Sequence, residues 1–341
     1  MKRSTDNPWL TRFAALTAVA TLGLICLGGL VTSHGAGMSV PDWPTTYGYN
    51  MFFFPVSKWV GGIFYEHTHR LAASAVGFMT IILAVWLGLR EARGWLRWLG
   101  LAAVVLVILQ GVLGGLRVTA LKDELGIFHA ALAQLFLVLL FAIALFTTRW
   151  WQRLRPAASE MGGWLRLGWA AATVLILVQL VLGASMRHQH AGLAIPDFPL
   201  AYGNLWPDTS SEAIVRYNQQ RIEVRAMHPI TAAQVLMQMA HRGMAVVILV
   251  LVGWIAVAAR RSLGRQHVMA RGSLFWAGLI AGQALLGAAT IWTNKSADIA
   301  TAHVAVGAIT LVTGSLLVLV AGRLQPAVAA AARLEPCEVA A

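Results

Sequence analysis

Residues 35–48 read GAGMSVPDWPTTYG, and residues 190–203 read HAGLAIPDFPLAYG. The shared frame, A-G-x-x-x-P-D-aromatic-P-x-x-Y-G, recurs at an offset of 155. Further on, Glu66-x-x-His69-Arg70 is matched by Gln238-x-x-His241-Arg242 at an offset of 172, and His129 is matched by His303 at 174. Three separate motifs in one order make the chain a tandem repeat. The change of offset from 155 to 172 makes the second inter-motif segment 17 residues longer than the first.

The material around these motifs is apolar. Of 341 residues, 58% are hydrophobic and only 12% charged, against about 25% charged in soluble domains. That composition excludes a soluble enzyme, a disordered chain and a collagen-like fibre, and the mean hydropathy of +0.68 points to membrane helices. Eight stretches reach the ~20 apolar residues a span needs: 12–32, 69–89, 98–118, 125–147, 165–186, 236–259, 273–293 and 299–322. The first is too long for the apolar core of a secretory signal. Alternating ten-residue segments of a membrane barrel are absent. The expected fold is an all-α polytopic membrane protein. Its eight transmembrane helices form two four-helix bundles, 12–147 and 165–322, followed by a cytoplasmic tail at 323–341. An even number of spans per unit makes the repeats parallel, related by a pseudo-twofold axis along the membrane normal.

The net charge of +12 raises the question of nucleic acid, and the placement of the charges answers it. Basic residues gather at Lys2, Arg3 and Arg12; at Arg90, Arg93 and Arg97; and at Arg149, Arg153, Arg155 and Arg166. They recur at Arg260, Arg261, Arg265 and Arg271, and at Arg323 and Arg333. With eight spans all these groups fall on one side, which the positive-inside rule makes cytoplasmic. Trp95, Trp98, Trp150, Trp151 and Trp164 border the same side as an interfacial belt. The partner of the basic fringe is the lipid bilayer, and no compact basic domain is left for nucleic acid. Both termini are expected in the cytoplasm and the two long loops outside. Cys26 and Cys337 are too few and too far apart for a disulfide framework or a zinc site.

His69, His129, His241 and His303 each fall near the outer end of an even-numbered span, at similar depth. Ionisable groups inside a bilayer are costly and mark function. Two imidazoles facing across a four-helix bundle suit the axial positions of a haem iron; zinc would need further His, Cys or carboxylate ligands nearby. Glu66 lies three residues before His69, on the same helix face. Gln238 replaces it in the second repeat. Glutamate can carry a proton and glutamine cannot, so the asymmetry suggests a reaction centre in the first unit and an inert cofactor in the second; the alternative is a Glu66 that caps the helix N-terminus or pairs with Arg70. His67 is about 200° around the helix from His69 and is expected to face elsewhere. Arg70 and Arg242 have two candidate partners, haem propionates or nearby backbone carbonyls. The proline-rich loops are expected to be rigid and non-helical, either lids walled by Trp43 and Phe198 or structural turns. His34, His188, His190 and His228 lie in or beside the outer loops, where they are either solvated or in contact with haem propionates.

Taken together, GGLVTSHGAGMSVPDWPTTYG, EHTHR, LGIFH, QMAHR and TAH resemble haem A synthase over about 29–310. The resemblance implies conversion of haem O to haem A by stepwise oxidation of a ring methyl to a formyl group, for use by cytochrome oxidase. It implies haem O as substrate between His69 and His129, a resident haem b between His241 and His303, and Glu66 as the catalytic acid. It also implies an external electron-transfer partner and, from the pathway, a haem O-producing farnesyltransferase; a homo-oligomer is compatible with it. Residues 34–66 and 187–235 hold no cysteine, so the chain looks like the cysteine-free branch that includes mitochondrial members. The dozen residues before the first span are few for a presequence, which favours a bacterial inner membrane. A non-catalytic di-haem cytochrome would share the four histidines but has no need of the Glu66/Gln238 difference. A transporter built on parallel repeats would place its site near the bilayer midplane.

Overall fold

The structure is a computed structural model that describes residues 4–155, 162–220 and 229–324. His228, Lys2, Arg3, Arg333, Cys337 and nearly all of the expected tail lie outside these residues. The described chain is helical: α1 (Pro8–Ser33), α2 (Gly61–Arg90), α3 (Gly94–Ala120), α4 (Asp123–Thr147), α5 (Arg149–Arg153), α6 (Gly163–His188), α7 (Ser211–Gln219), α8 (Ala232–Leu263), α9 (Val268–Trp292) and α10 (Ala297–Arg323). Eight of these are long and apolar enough to cross a membrane, and the chain is a multi-pass membrane protein. α5 and α7 are the short exceptions.

Each expected span has its helix, but α2 begins eight residues before the expected 69. The stretch EHTHR lowers local hydropathy while the backbone continues as helix, so the polar residues sit within the span rather than before it. The starts are set by local chemistry. Asn7 accepts from Leu10 N and is followed by Pro8, whose fixed φ suits a first helical turn. Thr231 and Gln234 form a reciprocal capping box at α8.

Helices α1–α4 form one bundle, in which α1 packs on α2 and α4, and α3 packs on the same two. Helices α6, α8, α9 and α10 form the other in the same cyclic manner. The bundles meet where α1 lies on α10, α4 on α6 and α4 on α10. Leu10, Leu83, Leu87, Leu96, Leu140 and Ile143 fill the first core. In the second, Trp169 and Trp276 are fully buried, and their indole N–H groups donate to Ser273 Oγ and Thr310 O, each at 2.9 Å. This satisfaction is what allows a buried indole.

At the end away from the long loops, polar ties join the elements. Arg93 donates to both oxygens of buried Glu91 and to Phe146 O, linking the α2–α3 turn to α4. Thr11 Oγ1 donates to Thr147 O, and Arg149 pairs with Asp6 at 2.8 Å.

Candidate functional site

The repeated loops fold alike because the repeated residues make the same bonds. Asp42 accepts from Tyr47 N (2.7 Å), Gly48 N (2.8 Å) and Thr45 Oγ1; Asp197 accepts from Tyr202 N (2.7 Å) and Gly203 N (2.9 Å). Burial opposes ionisation of Asp42, but these donors hold its carboxyl below the usual range. Tyr47 and Tyr202 adopt positive φ, and their hydroxyls donate to Ser39 O and Ala194 O. Trp43–Pro44 and Phe198–Pro199 are both cis. The longer second loop carries α7, whose Tyr217 stacks on Tyr202 with ring centroids 3.4 Å apart.

Each loop is stapled to the helix behind it. Val40 N donates to Glu66 Oε2 at 2.9 Å, and Ile195 N donates to Gln238 Oε1 at 2.7 Å. The glutamate and the glutamine therefore share one structural task, so their difference is narrower than the sequence alone implied. What Glu66 adds is charge: its Oε1 takes a 2.7 Å ion pair from Arg70. The two terminal nitrogens of Arg70 also donate to Asp42 O, Thr45 O and Val40 O. Its four terminal N–H groups thus have partners in the loop and Glu66, and the backbone carbonyls expected as candidate partners of Arg70 are among them. Arg242 donates to Leu200 O and Asp197 O, while its Nε is buried without a partner.

Below the loops a single cavity of about 1640 Å³ runs through both bundles, and His69, His129, His241 and His303 all line it. A small-molecule site occupies roughly 300–1,000 Å³, so this space is large enough for two bulky ligands. His69 on α2 faces His129 on α4 across the diagonal of the first bundle, and His241 on α8 faces His303 on α10 in the second. Each lies about two turns inside its helix. Trp43, Pro44, Phe198 and Pro199 also line the cavity, beneath the loops they belong to.

Every histidine is backed by a glycine on a neighbouring helix. A Cβ at Gly28, Gly183 or Gly287 would stand 3.2 Å from Cε1 of His69, His241 or His303, and one at Gly114 would stand 3.4 Å from that of His129. Four residues earlier, Gln110, Gln179 and Gln283 donate to the backbone carbonyls of His129 (3.1 Å), His241 (2.9 Å) and His303 (2.9 Å). Leu24 holds that place on α1. These cradles were missed in the sequence, yet a signal was there: LICLG at 24–28, QGVLG at 110–114, QLVLG at 179–183 and QALLG at 283–287.

The other histidines separate clearly. His67 is fully buried away from the cavity, bonded to Thr46 Oγ1 at 3.2 Å and packed on Phe54 and Trp59. His34 stacks on Tyr65, and His190 sits exposed in a positive-φ turn. Of the two readings of His188, the solvated one does not hold: it is buried against Gly126 of α4 and lines the cavity.

The donor set suits haem. The ligands come as opposed pairs of neutral-capable imidazoles, and each ring's Nδ1 is buried without a partner. The glycines admit the rings at a close approach that even a Cβ would tighten and a larger side chain would obstruct. Among the described residues, Arg70, Arg117, Arg187, Arg242 and Lys295 line the cavity against one carboxylate, Glu66, a balance that suits an anionic ligand.

A family model described as cytochrome oxidase assembly protein matches residues 11–315. The chain is 27% identical over 304 residues to a protein of Geobacillus kaustophilus named Heme A synthase, covering 85% of this chain and 84% of that one. It is 30% identical over 212 residues to the Heme A synthase of Shouchella clausii, covering 60% and 68%. It is 25% identical over 306 residues to that of Bacillus cereus strain AH187, covering 86% of each. The match takes in both loops, all four cradled histidines and Glu66, and the chain belongs to the cytochrome oxidase assembly protein family that this model describes.

Proposed function

We propose that this chain is a haem A synthase, an oxidoreductase that converts haem O to haem A. The observation that carries the reading is the pair of glycine-cradled bis-histidine sites on one cation-lined cavity, with a carboxylate beside the first pair only. The names of its relatives support it and do not favour a purely electron-carrying cytochrome.

In this reading residues 12–147 form the substrate unit and 165–322 the cofactor unit, related by a pseudo-twofold axis along the membrane normal. His69 and His129 hold haem O, and His241 and His303 hold a resident haem b. A haem b held there would supply one-electron transfer between the first site and an external redox partner. Arg70 fixes both the loop and the carboxylate of Glu66, so that Glu66 is oriented at the reacting edge and takes up protons as the methyl, gaining one oxygen atom from water and giving four electrons to the external redox partner, passes through hydroxymethyl to formyl with release of four protons. Trp43 and the loop above it shield that edge from bulk solvent. The protein sits in a bacterial inner membrane with both termini cytoplasmic and the loops outside, and receives haem O from a farnesyltransferase.

Glu66→Gln tests the assignment cleanly, because Gln238 already holds the equivalent loop from the equivalent position. Purified Glu66→Gln is expected to keep its haem content and thermal stability while losing conversion of haem O by about a hundredfold, within the range for a proton-transfer residue. Haem A formation at the wild-type rate would refute the role of Glu66.

A further inference from the structure

The glycine cradles define what stands one turn further toward the loops. On α1, α3, α6 and α9 the residue three or four positions past the glycine shares its face. These residues are Thr32, Arg117, Arg187 and Thr290, and all four line the cavity. Each histidine pair therefore has one arginine and one threonine about 5 Å outward from its cradles. In the first site they are Thr32 and Arg117; in the second they are Arg187 and Thr290, with the types exchanged between the repeat positions. Both threonine hydroxyls donate back to their own helices, to Gly28 O and Leu286 O at 2.9 Å each.

Arg187 reaches from the second bundle to the first. One terminal nitrogen donates to Gly29 O and Ser33 Oγ of α1, each at 2.6 Å, and its Nε is buried without a partner. Its partners in the described structure are neutral oxygens. The cavity's only carboxylate among the described residues, Glu66, is held by Arg70. A guanidinium so placed has lost water and gained no counter-charge, a costly arrangement unless an anion completes it. Arg70 has all four terminal N–H groups engaged by the loop and Glu66, whereas only one terminal nitrogen of Arg187 is engaged, by Gly29 O and Ser33 Oγ.

Resting on the haem reading of the cavity, we propose that Arg187 binds a propionate carboxylate of the haem held by His241 and His303, and that Arg117 has the same task in the first site. Its distance from the cradle matches a group at the porphyrin edge rather than at the iron. Its tie to α1 keeps the guanidinium in place, so less side-chain freedom is lost when the carboxylate arrives.

The test is porphyrin affinity, independent of turnover. Full-length protein is made without haem in a His69→Ala background, which leaves the second pair intact, and is titrated in detergent with haem b and with haem b dimethyl ester. The Arg187-competent protein is expected to bind haem b about tenfold or more tightly than the ester, as a charge-assisted bond requires. Arg187→Gln is expected to bind both alike, with the loss falling on haem b alone. Arg187→Lys keeps the charge without the fork and is expected to fall between them. Wild-type discrimination in folded Arg187→Gln, or equal binding of both porphyrins by the Arg187-competent protein, would overturn the proposal and leave Arg187 as a strut between bundles. Failure to bind either porphyrin would defeat the haem reading itself. Haem binding with the expected discrimination, together with no conversion of haem O by the protein that retains His69, would defeat only the proposed activity.

Discussion

The glycines that back the histidines make the sharpest residue-level claim. At 3.2 Å from the His241 ring, a Cβ at Gly183 is already tight, and a branched side chain has nowhere to go. Gly183→Val is expected to displace His241 and remove the second-site haem, lowering haem per polypeptide by about half if both sites are filled. A haemochrome assay of the purified protein measures this; full haem content would show that the cradle is dispensable. Gly183→Ala is expected to lose less, since the ring needs to yield only slightly. The histidines were legible in the sequence because a polar residue stands out in an apolar span. Their glycines were not, because Leu-Gly inside a membrane helix reads as ordinary packing. His188 was left between solvent and the cavity for a related reason: position near a loop says nothing about whether a neighbouring helix, here α4 with Gly126, closes over the ring.

Among the elements, the repeated loops were the most legible, since a Pro-Asp-aromatic-Pro run permits few conformations. What could not be read was their attachment. The bonds from Val40 and Ile195 to Glu66 and Gln238 depend on which oxygen meets which backbone N–H, and carboxylate and amide serve equally. The start of α2 shows the limit of hydropathy, because polarity marked the site and not the helix end. At the opposite end Glu91 gives an element-scale prediction. Burial raises the cost of its charge, but Arg93 and nearby backbone N–H groups hold its carboxyl below the ordinary 4.5. A depressed acid stabilises the fold above its unfolded value and loses that contribution as pH falls through the folded one. Thermal stability in detergent is therefore expected to fall below about pH 4.5 in the wild type and less so in Glu91→Gln. Glu91→Ala is expected to cost about 1–3 kcal/mol at neutral pH, because Arg93 and its tie to α4 lose their anchor.

At the scale of the whole molecule, small residues bring the bundles together. A Cβ at Gly29 would stand 3.1 Å from Thr301 Cγ2, where α1 meets α10. Close backbone approach of this kind drives helix association in lipid. Gly29→Leu is expected to separate α1 from α10, lower the unfolding temperature by several degrees, and reduce haem in both sites together. That joint loss distinguishes it from Gly183→Val, and spectra of the two variants side by side measure it. Eight helices and the tandem repeat could be read from composition and spacing. The merging of two sites into one cavity could not, because it follows from how α1, α4, α6 and α10 meet.

The shape of that cavity sets how a ligand can arrive. Its roof is bolted to the histidine-bearing helices through Glu66, Gln238, Arg70 and Arg242. Its walls, however, include Phe78, Ile81 and Ile108 in the first bundle and Val246 and Leu249 in the second, all on the outer surface of their helices. The open sides thus face hydrocarbon, and supply is governed by partitioning and lateral diffusion in two dimensions. A porphyrin bearing a long greasy tail would enter and depart without crossing an aqueous phase, its effective concentration being that in the membrane and not in the surrounding water.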